Sequence, residues 1–153
     1  MLYDGLTKLK WDKRYMTIAK AVGRWSKDPR KKVGCVIAGT DHEILSTGYN
    51  GFARGIADTP DRYNDRVMKR ALVVHAEINA ICNATRTGAK LVGSMLYVSG
   101  LPPCTNCANA IIQCGIKRVV FECAEVPDHY VTNCAMAADL LEEAHVLLLR
   151  LVR

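Results

Sequence analysis

The spacing of apolar positions along the chain predicts an α/β fold. Between Trp11 and Trp25 the apolar residues recur at helical spacing, and the proline-containing segment 26–29 ends that helix. Apolar strands at 33–38 and 44–49 follow, and the Gly-Thr-Asp turn between them predicts a hairpin. The later pattern predicts helices at 73–85, 104–115 and 132–144 and strands at 94–99, 119–123 and 146–152. This order indicates a five-stranded sheet flanked by helices, with crossover helices between the later strands.

One long segment without such a period stands out at 50–65. It is rich in glycine, aspartate and proline and is predicted to form a loop, and loops of this length in compact domains tend to be functional. The sequence contains no internal repeat, low-complexity tract or linker. We therefore expect a single domain over residues 1–153.

The composition favours a cytoplasmic protein but does not decide what its basic clusters bind. The basic start of the sequence lacks the apolar stretch of a secretory leader, and no run approaches the roughly 18 apolar residues of a membrane span. Seven cysteines, an odd number placed mostly in apolar runs, favour reduced thiols in a cytoplasm. The net charge of +6 is concentrated at 8–14 and 24–32. Such clusters fit nucleic-acid binding, attraction of a nucleotide phosphate or a solvated helix face.

Two short motifs carry the candidate chemistry, His-Ala-Glu at 75–77 and Pro-Cys-Thr-Asn-Cys at 103–107. The spacing of Cys104 and Cys107 is nearly one helical turn, so both sulfurs point to one side at the start of a helix, where the helix dipole favours thiolates. His75 adds a nitrogen ligand from the neighbouring helix. Three protein ligands leave the fourth tetrahedral position of a Zn²⁺ ion for water, which is the pattern of a catalytic site.

Glu77 is the predicted catalytic residue. It lies on the same first helical turn as His75, close enough to exchange protons with a water, the substrate ring and a departing amine without being a ligand. Each motif alone has a plainer interpretation: a Cys-x-x-Cys pair also serves redox or structural zinc sites, and a histidine before an apolar helix is often a core residue. Together they match the H-x-E…P-C-x-x-C pattern of zinc deaminases.

Together with further segments of the sequence, these two motifs resemble the deoxycytidylate (dCMP) deaminase family. The resemblance covers about 11–146 and rests on 26–29 with 32–37, Gly-Tyr-Asn-Gly at 48–51, 75–81 and 103–119. It implies a three-layer α-β-α, cytidine-deaminase-like fold whose five-stranded mixed sheet has the order 2-1-3-4-5. It also implies hydrolysis of dCMP to dUMP and ammonia, which supplies the precursor of thymidylate. The family further implies a homo-oligomer, hexameric or dimeric, activated by dCTP with Mg²⁺ and inhibited by dTTP.

The resemblance suggests residues that bind the nucleoside. The Asn50 amide is expected to hydrogen-bond a sugar hydroxyl, although a turn residue is its plainer role. The backbone N–H of Ala76 is expected to donate to the base carbonyl. Tyr130 is expected to border the phosphate or the base, with core packing as the alternative. Leu101 and Pro102 precede the Pro-Cys pair where many family members carry a bulky residue, so the shape of the base pocket is expected to differ.

The substrate phosphate and the nucleotide effector are both anionic and need binding residues as well. For the substrate phosphate the candidates lie in the loop before the first strand: Ser26, Lys27, Arg30 and Lys31. For the nucleotide effector the resemblance points to residues of the long loop: Asn50, Gly51, Arg54 and Gly55.

Two other functions compete with this interpretation. A tRNA or polynucleotide deaminase would share the zinc core, and the basic N-terminal helix favours it. A non-catalytic zinc-binding module is the other, but a structural site has no use for Glu77 beside an open position. The expectation is a small nucleotide substrate, with neither a nucleic acid nor a membrane as partner.

Overall fold

A computed structural model describes the backbone of residues 5–152 and the side chains of 9–152. Lys8 of the basic N-terminal cluster has its side chain outside this range. The elements are α1 (Gly5–Gly23), β1 (Gly34–Ala38), β2 (Ile44–Tyr49), β3 (Gly51–Phe52), α2 (Pro60–Asn64), α3 (Arg66–Leu72), β4 (Val73–Val74), α4 (Ala76–Thr87), β5 (Met95–Ser99), α5 (Thr105–Gln113), β6 (Arg118–Glu122), α6 (Asp128–Glu143) and β7 (Leu147–Arg150). Among the described residues, no helix has both the length and the apolarity needed to cross a bilayer.

A five-stranded mixed sheet forms the centre of the fold, with the strand order β2-β1-β5-β6-β7. Strand β1 runs antiparallel to both β2 and β5, whereas β6 runs parallel to β5 and β7. Counted within this sheet alone, the order is 2-1-3-4-5, so the predicted topology is confirmed. The parallel strands are joined through α5 and α6, as crossover connections require.

Side-chain alternation along β1 divides the core into two layers. Cys35 and Ile37 belong to a buried cluster formed with α4, α5 and α6, while Val36 and Ala38 belong to a second cluster formed with α1. Successive strand residues point to opposite faces, so the sheet is covered on both sides. This is the predicted three-layer α-β-α arrangement.

The segment around the predicted long loop differs from the expectation. It contains β3 and α2, and α3 follows directly. The helix predicted from residue 73 begins only at Ala76, because Val73 and Val74 pair antiparallel with Phe52 and Gly51. Helix α3 has no buried residue and therefore no amphipathic period to detect; its start is fixed instead by the Asp65 side chain, which accepts from two backbone N–H groups. We call residues 53–72, between β3 and β4, the flap.

Candidate metal centre and active-site cavity

Two helix N-termini meet at the carboxyl end of β5. His75 occupies the N-cap position of α4, and Cys104 occupies that of α5, shortly after β5 ends. Neither side chain caps its own helix, so both remain available for another partner. The first N–H groups of a helix lack intrahelical acceptors and carry partial positive charge. The site therefore favours anionic groups such as thiolates.

The three predicted metal ligands lie together. His75 Nδ1 is 3.5 Å from Cys104 Sγ and 3.4 Å from Cys107 Sγ. All three ligand atoms lie within 4.8 Å of one another. A tetrahedral zinc site with Zn–S of about 2.3 Å and Zn–N of about 2.0–2.1 Å separates nitrogen from sulfur by about 3.5–3.6 Å. The donor set and its spacing fit a zinc ion.

The pKa values of the two cysteine thiols shift in opposite directions. Hydrogen bonding from Cys107, helped by His75, lowers the pKa of Cys104, although burial opposes the shift. The same hydrogen bond and burial raise the pKa of Cys107. The pair thus gives up one proton readily and holds the other, and a cation that displaces this second proton would gain two thiolate ligands.

Glu77 lies beside the ligands in the first turn of α4. It is only 4% exposed. Burial raises the pKa of its carboxyl group, while the charge of His75 opposes the shift. A carboxyl group with a raised pKa, next to an open metal position, can accept and return protons near neutral pH. Glu77 and the three predicted ligands therefore lie together, while the acid–base role of Glu77 stays a prediction.

A cavity of about 130 Å³ opens from the metal centre. It is lined by Asp28, Lys31, Val33, Asn50, Lys69, Val73, His75, Ala76, Glu77, Leu101, Pro102 and Tyr130. Four of the predicted substrate residues, Asn50, Ala76, Lys31 and Tyr130, thus line the same cavity as Glu77. Ala76 is the first residue of α4, where its N–H has no partner within the helix.

Asn50 is already engaged in the protein. Its Oδ1 accepts from the Val33 N–H at 2.8 Å, and its Nδ2 donates to the Lys31 carbonyl at 2.9 Å and to Asp28 Oδ2 at 3.4 Å. Both amide donors are therefore used to hold the loop before β1 in place. Only a second lone pair of Oδ1 is left for a sugar hydroxyl, so the proposed sugar contact stays a prediction.

Other predicted phosphate ligands lie away from the cavity lining. The Ser26 hydroxyl is buried and donates to the Asn50 carbonyl at 2.7 Å, a structural role. Lys27 pairs with Asp58 of the flap at 2.8 Å, and Arg30 is exposed. Lys31 alone among these candidates lines the cavity.

The predicted effector residues do not share one pocket. Gly51 and Arg54 border a separate groove of about 220 Å³ that also contains Trp25 and Tyr49. Asn50 faces the active-site cavity instead, and Gly55 lies in neither lining. The effector assignment stays a prediction.

Asp28 and Lys69 also line the cavity, although no sequence motif singles them out as candidates. Asp28 is buried at the cavity edge, and Lys69 pairs with it at 2.6 Å. Lys69 lies on α3, a helix that apolar periodicity did not detect, so its direction towards the cavity could not be anticipated. The only local signal was the acidic residue of the Ser-Lys-Asp-Pro block at 26–29.

A three-layer α-β-α domain with a His-Cys-Cys centre beside a buried glutamate defines the class of zinc-dependent deaminases. The family model for the cytidine and deoxycytidylate deaminase zinc-binding region matches residues 9–123. The chain belongs to this family.

Individual relatives agree with this assignment. An uncharacterized deaminase of the luxG 3′ region in Aliivibrio fischeri is 42% identical over 125 residues, covering 81% of this chain and 79% of that protein. The deoxycytidylate deaminase of Mus musculus is 39% identical over 132 residues, covering 83% of this chain and 72% of the mouse protein. The dCMP deaminase of cyanophage S-TIM5, crystallised with dCMP and dUMP, shares the fold with a TM-score of 0.74 and 24% identity, covering 98% of this chain and all of the phage chain.

Proposed function

We propose that the protein hydrolyses dCMP to dUMP and ammonia. The observation that carries the proposal is the placement of buried Glu77 beside three zinc-type ligands, in a cavity that two lysines also line. The zinc-type centre and Glu77 suit deamination, and the lysines suit an anionic nucleotide. The family assignment and the mouse deoxycytidylate deaminase support the choice of substrate.

In this proposal Glu77 transfers protons and Ala76 orients the base. Zinc, when bound, supplies a Lewis acid that lowers the pKa of a water molecule to about 7. Glu77 takes a proton from the attacking water and gives it to the ring nitrogen, and then assists proton delivery to the departing amine. Ala76 donates its N–H to the base carbonyl and so fixes the orientation of the ring. Water and dCMP are thereby converted to dUMP and ammonia.

Location, assembly and regulation belong to the same proposal. We infer a cytoplasmic homo-oligomer, hexameric or dimeric, that supplies dUMP for thymidylate synthesis. Activation by dCTP with Mg²⁺ and inhibition by dTTP follow from the family resemblance. The groove that contains Gly51 and Arg54 supports a second nucleotide site because it is separate from the active-site cavity.

An ammonia-release screen tests the substrate and the regulation together. The zinc-loaded protein is assayed with cytosine, deoxycytidine, dCMP, dCTP and 5-methyl-dCMP, each with and without dCTP–Mg²⁺ or dTTP. We expect the highest kcat/KM for dCMP, loss of activity after chelation and its return with zinc. Preference for the free base or nucleoside would overturn the nucleotide assignment.

A nucleic-acid substrate is tested in the same preparation. Oligonucleotide deamination, together with RNA or single-stranded DNA binding that weakens steeply with salt, would favour a polynucleotide deaminase instead. Zinc binding without turnover of any compound would favour a non-catalytic module.

A further inference from the structure

The flap is joined to the core mainly through polar contacts. Tyr63 is its only buried residue within the described chain; it stacks on Phe52 with ring centroids 4.4 Å apart. Two ion pairs connect the flap to the loop before β1. The Asp58–Lys27 pair is exposed, with 29% and 67% of the respective side chains accessible, whereas the Lys69–Asp28 pair is largely buried, at 16% and 2%.

Asp28 holds the Lys69 ammonium at a fixed place. Asp28 Oδ1 accepts from the backbone N–H groups of Arg30 and Lys31 at 2.8 and 3.2 Å, and Oδ2 accepts from Asn50 at 3.4 Å. Burial alone would raise the pKa of Asp28, but the hydrogen bonds from Lys69 and the two backbone groups hold it below its usual value. The carboxylate therefore stays ionised and anchors the lysine that contacts it.

The Lys69 ammonium group can still donate hydrogen bonds into the cavity. An ammonium group has three N–H donors, and within the described residues Asp28 is its one partner. Lys31 lines the same cavity, and no side-chain or backbone acceptor in the described range binds its ammonium group. Two cations thus border one cavity whose remaining acidic residue, Glu77, lies at the metal end. This arrangement favours an anion between the two lysines.

We propose that Lys69 binds the 5′-phosphate of the substrate together with Lys31, and so selects nucleoside monophosphates over nucleosides. This inference rests on the proposed function. Because Lys69 belongs to the flap and Lys31 to the loop before β1, a phosphate bound by both also holds the flap against that loop. The flap then responds to the phosphate rather than to the base.

Kinetics with matched substrates test the selection. In the zinc-loaded protein, Lys69→Met is expected to raise KM for dCMP about tenfold or more, because a charge-assisted hydrogen bond is lost. The kcat/KM for deoxycytidine should stay within about twofold of the unaltered protein. Lys69→Arg should restore most of the preference for dCMP. Arg70→Met removes the same charge from the exposed neighbouring position and should change neither substrate.

Equal losses for dCMP and deoxycytidine would overturn the proposal, since Lys69 would then act only as a latch for the flap, while the proposed function would stand. A wild-type protein without preference for dCMP would instead contradict the proposed function. Should Lys69→Met fold poorly, Lys69→Gln keeps a donor for Asp28 but removes the charge, and the same loss of preference is expected.

A binding measurement is independent of turnover. Hydrogen exchange of residues 53–72 is compared with dUMP and with deoxyuridine, each at saturation. The proposal requires that dUMP slows exchange in the flap of the unaltered protein, and that deoxyuridine and the Lys69→Met variant lack this effect. Equal protection by both ligands would contradict it.

Discussion

At the scale of single residues, the surroundings of a cysteine decide its chemistry. Cys35 is completely buried in the core near Glu77, and burial raises its pKa well above the usual value, so it remains a neutral thiol. Cys104 begins a helix beside Cys107 and His75, and its pKa is lowered. The chain has seven cysteines. Within the residues that the structure describes, Cys104 and Cys107 are the two that lie with a histidine in a ligand geometry.

Glu77→Gln separates proton transfer from metal binding. Glutamine has nearly the same shape but cannot exchange the proton, so we expect kcat to fall by about 10²–10⁴-fold. Zinc content, measured by elemental analysis, should remain close to that of the unaltered protein, because His75 and both cysteines are intact. Glu143→Gln on the exposed surface of α6 is the control and should retain kcat. An active Glu77→Gln protein would refute the assigned role.

Asn50→Ala is expected to cost stability as well as activity. The change removes the acceptor of the Val33 N–H and the donor to the Lys31 carbonyl in a site where Asn50 is only 7% exposed. Buried groups left without partners cost about 1–3 kcal/mol, which urea unfolding would detect. Asn64→Ala at an exposed position of α2 should stay within about 0.5 kcal/mol. If Asn50→Ala and Asn64→Ala unfold at the same urea concentration, the hydrogen bonds of Asn50 contribute little to the free energy of unfolding.

At the scale of helices and strands, the spacing of buried positions decides which elements can be predicted from the sequence. Strand β2 was predicted with its observed bounds, because a clear turn precedes it and apolar strand residues fill it. Strands β3 and β4 have two residues each, too short for a detectable period, and the apolar pair in β4 was absorbed into the predicted helix. Helix α3 has no fully buried residue, so its apolar positions show no helical period. Cys104 and Cys107 could be predicted because their spacing follows helical geometry, and His75 because it belongs to the motif that accompanies such a pair. Lys69 could not, because its position depends on the flap.

Gly48→Ala tests the contact that positions α4. A Cβ atom at Gly48 would collide with the Ala80 backbone nitrogen and the Ala76 carbonyl oxygen, because β2 and α4 approach without an intervening side chain. We expect a loss of about 1–3 kcal/mol in unfolding free energy, as for overpacked cores, and weaker zinc binding, since His75 directly precedes the displaced helix.

Gly51→Ala is the matched control for this change. Its added Cβ would meet only the Tyr63 hydroxyl, at 3.8 Å, so neither stability nor metal content should decrease. If Gly48→Ala unfolds at the wild-type urea concentration and binds zinc normally, the helix must be able to move without cost to the ligands.

At the scale of the whole molecule, a buried polar clamp attaches α1 to the sheet. Arg118 on β6 donates to both carboxylate oxygens of Asp12 on α1, each at 2.6 Å, and the Tyr97 hydroxyl of β5 donates to the same carboxylate at 3.1 Å. The Asp12 and Arg118 side chains are 8% and 14% exposed. This layer lies on the face of the sheet opposite α4 and α5, so the clamp can be altered without touching the metal ligands.

The clamp should behave as a coupled pair. Arg118→Met leaves the Asp12 carboxylate buried without its charge partner, which costs about 3–5 kcal/mol in comparable sites. Replacing both residues, as Asp12→Leu with Arg118→Met, should cost clearly less than the sum of the single changes, because no unpaired charge remains. Lys20→Met breaks the Lys20–Glu122 pair between the same two elements and should cost less than Arg118→Met, because the Lys20 side chain is 42% exposed and solvent screens its charge. Urea unfolding of the four variants measures the coupling, and additive losses would mean that Asp12 and Arg118 stabilise the α1 layer independently.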